Sequence, residues 1–379
     1  MRVGLFVLVI GSLVILLHIY LHARLVRSVA YTGRWRRTGL VLLVLLMASS
    51  MFALVARHTF DRPALTWVGY VWLALVIYAA GILVVLELPR AVLARRLDER
   101  RRRVLTRALA GTALAVAAAT VGYGVREARN PRLVRRDIPL DRLPRELDGL
   151  TIAALSDIHL GPLTKGPFLR DVVRRVNAEH PDAVAIVGDL VDGTVAELGR
   201  EAAPLGELRA PTFFVTGNHE YFSGAEEWCD FLPTLGVRVL RNERVPLARI
   251  GAPAAGPTVD LAGIDDRTAA RSHEPGHGAN LTKALAGRDT ARAVVLLAHQ
   301  PVMVDQAARA DVDLQISGHT HGGQLLPFGY VVLLDQPVLA GLTRVGRTWL
   351  YVTRGVGFWG PPVRVGAPPE ITLVTLRAR

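Results

Sequence analysis

Five short clusters of metal-binding residue types punctuate this chain after residue 150: Asp157-Ile158-His159, Gly188-Asp189, Gly217-Asn218-His219-Glu220, His299 and Gly318-His319-Thr320-His321. Carboxylate, imidazole and amide oxygen together suit borderline divalent ions such as Mn²⁺, Fe²⁺ or Zn²⁺, and the lack of thiolates argues against a structural zinc site. Asp157 and His159 stand two residues apart, as do His319 and His321. In an extended segment each pair would direct both side chains the same way, toward a common metal cluster. Gly188, Gly217 and Gly318 allow the backbone to turn sharply and to approach metals and a bound anion closely. Taken singly, Gly-Asp and Gly-Asn are ordinary turn pairs. Five such clusters in this order, each behind an apolar run, point instead to one metal site. Of the eleven histidines, five fall in these clusters. His18, His22, His58, His180, His273 and His277 lie elsewhere and read as membrane-segment, surface or loop residues.

The elements that must position these residues are short. Apolar runs bounded by Gly, Pro, Asn and Asp predict strands at 150–156, 183–187, 212–215, 258–263, 293–298, 313–316, 347–353 and 370–376. Five of them end in a cluster, and in open sheets flanked by helices the carboxyl ends of strands are where distant residues converge. Phe168, Leu169, Val172, Val173 and Val176 recur at helical spacing, so 166–178 is expected to be a helix with one face on a sheet. The Gly/Pro/His stretch 272–279 reads as a surface loop. This strand-and-helix texture defines a domain over 131–379, large enough for a full core.

The part before it is different. Half of the 379 residues are hydrophobic, which suggests an integral membrane part. Four stretches, about 3–21, 39–56, 65–86 and 104–123, are each long and apolar enough to cross a bilayer. None carries a charge near its middle, which favours an anchor over a transporter. Residues 1–130 hold 18 Arg against five acids, a net +13, whereas 131–379 hold 27 basic and 28 acidic groups, a net −1. The positive charge thus sits between apolar segments, where it orients helices, and a nucleic-acid partner is not expected. The first and third loops carry five and seven Arg against Arg2, Arg57 and Arg62 on the other side, placing those two loops in the cytoplasm and the C-terminal domain outside. Five Arg from Arg126 to Arg136 pull the other way. The run Arg100 to Arg103 also has the look of a twin-arginine export signal with Ala117-Ala118-Ala119 as its cleavage site, although a plain stop-transfer helix is the preferred reading. With Cys229 as the single cysteine, no intrachain disulfide can form.

The five clusters resemble those of the calcineurin-like metallophosphoesterase superfamily: D-x-H, G-D-x-x-D, G-N-H-[DE], a lone His and G-H-x-H. The similarity covers about 137–379 and extends to Leu143-Pro144, Gly322-Gly323-Gln324 and Gly355 through Pro369. Those details are similar to the bacterial membrane-associated or exported subgroup typified by YkuE and YaeI. The resemblance implies an α/β fold, a four-layer αββα sandwich preceded here by four transmembrane helices. It implies one metal held by Asp157, His159, Asp189 and His321, and a second by Asp189, Asn218, His299 and His319, with Asp189 bridging. Asp192 would orient a ligand or a bridging water from behind. Two such ions acidify a shared water and neutralise the phosphoryl oxygens that it attacks. His219, beside Asn218, is not expected to be a ligand and would face the substrate as the catalytic group, stabilising the transition state or protonating the leaving oxygen; a structural histidine behind Asn218 is the less favoured alternative.

The expected function is therefore a membrane-anchored, binuclear metal-dependent hydrolase of phosphoester or pyrophosphate bonds, acting on a phosphate compound that the anchor suggests is lipid-linked. A pyrophosphatase of nucleotide-linked lipids is one alternative, with Phe222, Trp228, Phe358 and Trp359 lining an acyl groove; core packing is the plainer role for those four. A non-catalytic membrane scaffold is another, disfavoured by the complete ligand set.

Overall fold

A computed structural model describes residues 2–29, 32–55, 62–253 and 255–379. Ala56, Arg57 and His58, at the end of the second expected span and in the loop beyond it, lie outside the described residues. The chain divides into two compact units, one of residues 1–126 with Gly360–Val365, the other of Glu127–Trp359 with Gly366–Arg379.

The first unit is built on α1 (Arg2–Leu21), α2 (Gly33–Val55), α3 (Pro63–Ala94) and α4 (Glu99–Ala128), with α1 running on into a π-helical turn, His22–Arg27. All four are long and apolar enough to cross a membrane. Small residues set their packing: a Cβ on Gly69 would lie 2.1 Å from the Ser49 carbonyl oxygen, and Ser50 Oγ donates to the Gly69 carbonyl (2.9 Å). Such close backbone approach is the usual way apolar helices associate where burial drives nothing. α3 outruns the expected 65–86, and its extension carries Glu87, which pairs with Arg24 (2.7 Å). His18 is buried, its Nε2 accepting from Trp72 Nε1 (2.9 Å).

The second unit is two six-stranded mixed sheets. The first runs β1 (Arg132–Leu140), β12 (Glu370–Ala378), β2 (Thr151–Leu155), β3 (Ala183–Val187), β4 (Thr212–Val215), β5 (Val237–Val239). The second runs β10 (Gly341–Val345), β11 (Thr348–Val352), β9 (Leu314–Ser317), β8 (Val294–Leu297), β7 (Val259–Gly263), β6 (Glu243–Leu247). Alternation along the strands separates the layers. Ala185 and Val187 of the first sheet share one core with Val295, Leu297 and Ile316 of the second. The neighbouring residues Val294 and Leu296 point the other way, into a cluster with Leu281, Met303 and Ala307 from short helices. On the first sheet, α5 (Gly166–Ala178) buries Leu169, Val172, Val173 and Val176, and α6 (Val195–Ala202) follows behind a Thr194/Glu197 capping box. The order is helix, sheet, sheet, helix.

All eight expected strands and the 166–178 helix are present within a residue or two of their bounds. Four strands were not expected, β1, β5, β6 and β10, and they are the four edges of the two sheets.

Candidate metal centre

Central strands such as β3 and β8 are apolar along their whole length because both faces are covered, and polarity concentrates where each strand ends. There β2 leads to Asp157 and His159, β3 to Asp189, β4 to Asn218 and His219, β8 to His299 and β9 to His319 and His321. The two-apart pairs do not converge by extended geometry, as alternation suggests. Asp157, His159, His319 and His321 have φ of 54°, 50°, 72° and 51°, and Asp189 has 52°. Each is in the left-handed region that non-glycine residues seldom occupy, at a cost of about 1–3 kcal/mol apiece where the surroundings hold it. The convergence is made by sharp turns just past the strands.

The glycines serve close approach more than turning. Gly188 has φ 77°, but a Cβ on Gly217 would sit 2.2 Å from Asp189 Oδ1, and one on Gly318 would sit 1.9 Å from Ser156 Oγ and 2.3 Å from Asp157 Oδ2. Gly355 and Gly357 press on the same turn, where a Cβ would lie 2.6 Å from Asp157 Cβ and 2.2 Å from the Ile158 carbonyl oxygen. The stretch from Gly355 was singled out by the resemblance, but this close approach is visible only in the fold.

Three groups of donors result: Asp157, His159 and His321; His159, Asp189 and His219; and Asp189, His299 and His319. His159 Nε2 and His321 Nε2 are 3.1 Å apart, and His321 Nε2 is 3.3 Å from Asp157 Oδ1. Asp189 Oδ2 lies 3.1 Å from His299 Nε2, 3.9 Å from His159 Nε2 and 4.0 Å from His219 Nε2. Asp189 is common to the second and third groups, as His159 is to the first and second. Hydrogen bonds fix which ring nitrogen faces inward. His299 Nδ1 donates to the Val187 carbonyl (2.7 Å), and the Nδ1 atoms of His159 and His219 donate to Asp192 Oδ1 (3.2 and 2.5 Å). Each Nε2 is thereby directed to the centre, with its tautomer set from behind.

The donor set fits divalent cations. Asn218 Oδ1 is buried with no hydrogen-bond partner, the state of an amide oxygen able to take a cation. Burial and then His299 push His319 down to about 4, whereas burial pushes His299 down but Asp189 outweighs it and holds the ring well above the usual imidazole range. Burial raises the Asp157 carboxyl, while at Asp189 it is outweighed by His299 and His219, which hold that carboxyl well below its usual range. Burial lowers His219, but Asp189 and Asp192 prevail and raise it to about 9.

Sequence reading gave no role to Glu220, the last residue of its cluster. It is fully buried, and its carboxylate accepts from Gly217 N (2.6 Å), Asp189 N (3.0 Å), Leu190 N (2.8 Å) and Val191 N (3.4 Å). One side chain thus ties the turn after β4 to the turn after β3. Burial, followed by Asp189, pushes it up to about 7. Asp266 was missed as well, since its strand ends in no histidine; it accepts from Gln300 Nε2 (3.0 Å) beside His299.

The four aromatic residues separate. Trp228 is fully buried, its Nε1 donating to the Gly193 carbonyl (2.9 Å), and Phe358 is buried, so neither lines a groove. Phe222 and Trp359 are exposed and meet His219 edge-on, ring centres 5.6 and 6.0 Å away. Nor is His277 a bare loop residue: its ring is enclosed, bonded to Tyr221 OH (3.1 Å) and Glu226 (2.6 Å).

Comparison with known proteins agrees with this geometry. The family model "Calcineurin-like phosphoesterase" matches residues 150–323, from the start of β2 to just past His321. A "Transmembrane protein with metallophosphoesterase domain" from Danio rerio is 41% identical over 272 residues, 70% of this chain and 62% of that protein. The chain therefore spans less than two thirds of that relative's length. An uncharacterized metallophosphoesterase of Aquifex aeolicus is 35% identical over 65% of this chain and 92% of its own length. The uncharacterized metallophosphoesterase YkuE of Bacillus subtilis is 30% identical over 70% of this chain and 94% of its own length. With the ligand clusters at the strand ends of a two-sheet α/β domain and relatives matched nearly end to end, this membrane protein belongs to the calcineurin-like metallophosphoesterases.

Proposed function

We propose that this phosphoesterase hydrolyses phosphoester or pyrophosphate bonds with two divalent ions, one among Asp157, His159, Asp189 and His321, the other among Asp189, Asn218, His299 and His319. The observation that carries the reading is the position of Asp189 Oδ2, within 4.0 Å of inward-facing nitrogens on His299, His159 and His219. Bound there, the ions supply Lewis-acid charge and an acidified water; Mn²⁺, Fe²⁺ and Zn²⁺ all suit the nitrogen and oxygen donors.

The chain's own residues do the rest. Asp192 holds His159 and His219 by one oxygen, so that both rings are fixed before substrate arrives. His219 is held through Nδ1 by Asp192 with its Nε2 beside Asp189, from where the protonated ring can donate to a phosphoryl or leaving oxygen. Phe222 and Trp359 brace that ring edge-on. The protein is multi-pass, its catalytic domain on the extracytoplasmic side, and its substrate is a phosphate ester met at the membrane.

The test uses the full-length chain in detergent with a chromogenic phosphodiester. Excess chelator abolishes hydrolysis, Mn²⁺ restores it, and elemental analysis of the active form finds two metal equivalents per chain. Full activity in chelator, or at one equivalent, refutes the two-ion reading.

A further inference from the structure

The catalytic domain covers nearly all its large apolar side chains. Among the described residues after Ala128, nine large hydrophobic residues are exposed; six lie between Leu326 and Leu334, and two more are Phe222 and Trp359 beside His219. Leu334 is 87% exposed and Tyr330 71%, and no charged residue interrupts the run from Gln324 to Asp335. Soluble domains scatter exposed apolar residues singly; a concentration of this kind marks an interaction surface.

The run is built onto the metal centre. It begins three residues after His321, and its short helix Gly329–Val332 packs where a Cβ on Gly323 would lie 2.6 Å from Gly329 Cα. Gln324 and Trp359 exchange hydrogen bonds, Gln324 Nε2 donating to the Trp359 carbonyl (2.8 Å) and Trp359 N–H donating to Gln324 Oε1 (3.0 Å). The apolar run, Trp359, His219 and Phe222 are thus linked into one rim.

Chain connectivity bears on what the rim can meet. α4 ends at Ala128 and β1 starts at Arg132, so three residues join a helix able to cross a membrane to the catalytic domain. They span at most about 10 Å. The residues directly after Trp359, Gly360–Val365, belong to the helical unit, where Arg364 N–H donates to the Gly124 carbonyl (3.0 Å). A run of Leu, Phe, Tyr and Val without charge is also the composition that settles at the boundary between headgroups and acyl chains.

We propose that the 325–334 run inserts into that boundary of the bilayer, and that the adjoining metal centre takes phosphate esters carried on membrane lipids. The substrate class rests on the phosphoesterase reading above; the insertion does not. The experiment reads the two separately, on the full chain in nanodiscs of phosphatidylcholine and phosphatidylglycerol. In a Cys229→Ser background, Leu334→Cys carries an environment-sensitive fluorophore, and Arg209→Cys, exposed elsewhere on the domain, carries the same label as control. The label at 334 is expected to be quenched by lipids with a shallow doxyl group and shielded from aqueous iodide, the control label the reverse. In parallel, Tyr330→Ser with Leu334→Ser lowers turnover of a lipid-borne phosphate ester relative to a soluble chromogenic ester by about tenfold, as expected when two apolar side chains lose burial at the interface. A label at 334 open to iodide and untouched by doxyl lipids overturns insertion. Shielding that requires another membrane protein assigns the run to a protein partner and overturns it too. An unchanged ratio with insertion intact overturns the substrate class, whereas hydrolysis of neither ester strikes at the phosphoesterase reading instead.

Discussion

Glu220 offers the sharpest test of how the metal centre is held together. Its carboxylate receives four backbone N–H groups, two on each oxygen, from the turns that carry Asp189 and Asn218. Glu220→Gln keeps the shape and one acceptor oxygen, but presents an NH₂ group to donors that cannot accept from it. Two buried N–H groups lose their acceptor at about 1–3 kcal/mol each, roughly 2–6 kcal/mol in all. For a domain of this size that is a fall in melting temperature of roughly 4–24 °C. The loss falls on the turn that bears Asp189, so metal content drops together with stability, although Glu220 binds no metal itself. Glu220→Asp, which keeps both acceptors on a shorter arm, loses less. The assay is thermal unfolding of the full chain in detergent, beside elemental analysis of the same samples. A Glu220→Gln protein with the parent melting temperature and full metal content would refute the assignment of Glu220 as the tie between the two turns.

Other outcomes follow from the same geometry. Asp189→Asn, which removes a charge shared by two of the three donor groups, lowers metal content and activity more than Asp192→Asn, which removes only the bond behind His159 and His219; equal losses of metal would contradict this. His219→Gln leaves both metals bound and slows turnover by roughly 10²–10⁴, the range for a lost general acid, and the departure of one metal equivalent would make His219 a ligand instead. A reporter active only after export, fused after Arg379, is active, and one fused within 95–102 is silent; a silent C-terminal fusion would mean that Arg126 to Arg136 outweigh the twelve Arg of the first and third loops.

What depends on local pattern could be read from the order of the residues alone. Four apolar stretches, eight strands and one amphipathic helix were legible because central strands buried on both faces, like β3 and β8, are written as unbroken apolar runs. The candidate ligands were legible for the same reason, since a polar residue at the end of such a run has no packing role there. The rest lies where a segment's state depends on its neighbour in the fold. β1, with three Arg in nine residues, is a strand because it pairs in parallel with β12 along its whole length and buries Ile138 and Leu140. β5 has three residues, and β6 contains Pro246, tolerated because an edge strand leaves one row of backbone groups unpaired. Glu220, Gly355 and Gly357 fall in recognisable stretches, but their roles were not legible, since a clamp or a close approach is defined by the second segment it touches. The spacing of Asp157 to His159 and of His319 to His321 suggested convergence, but through extended backbone; the left-handed turns that produce it are held against their local preference by contacts that exist only once the two sheets have packed.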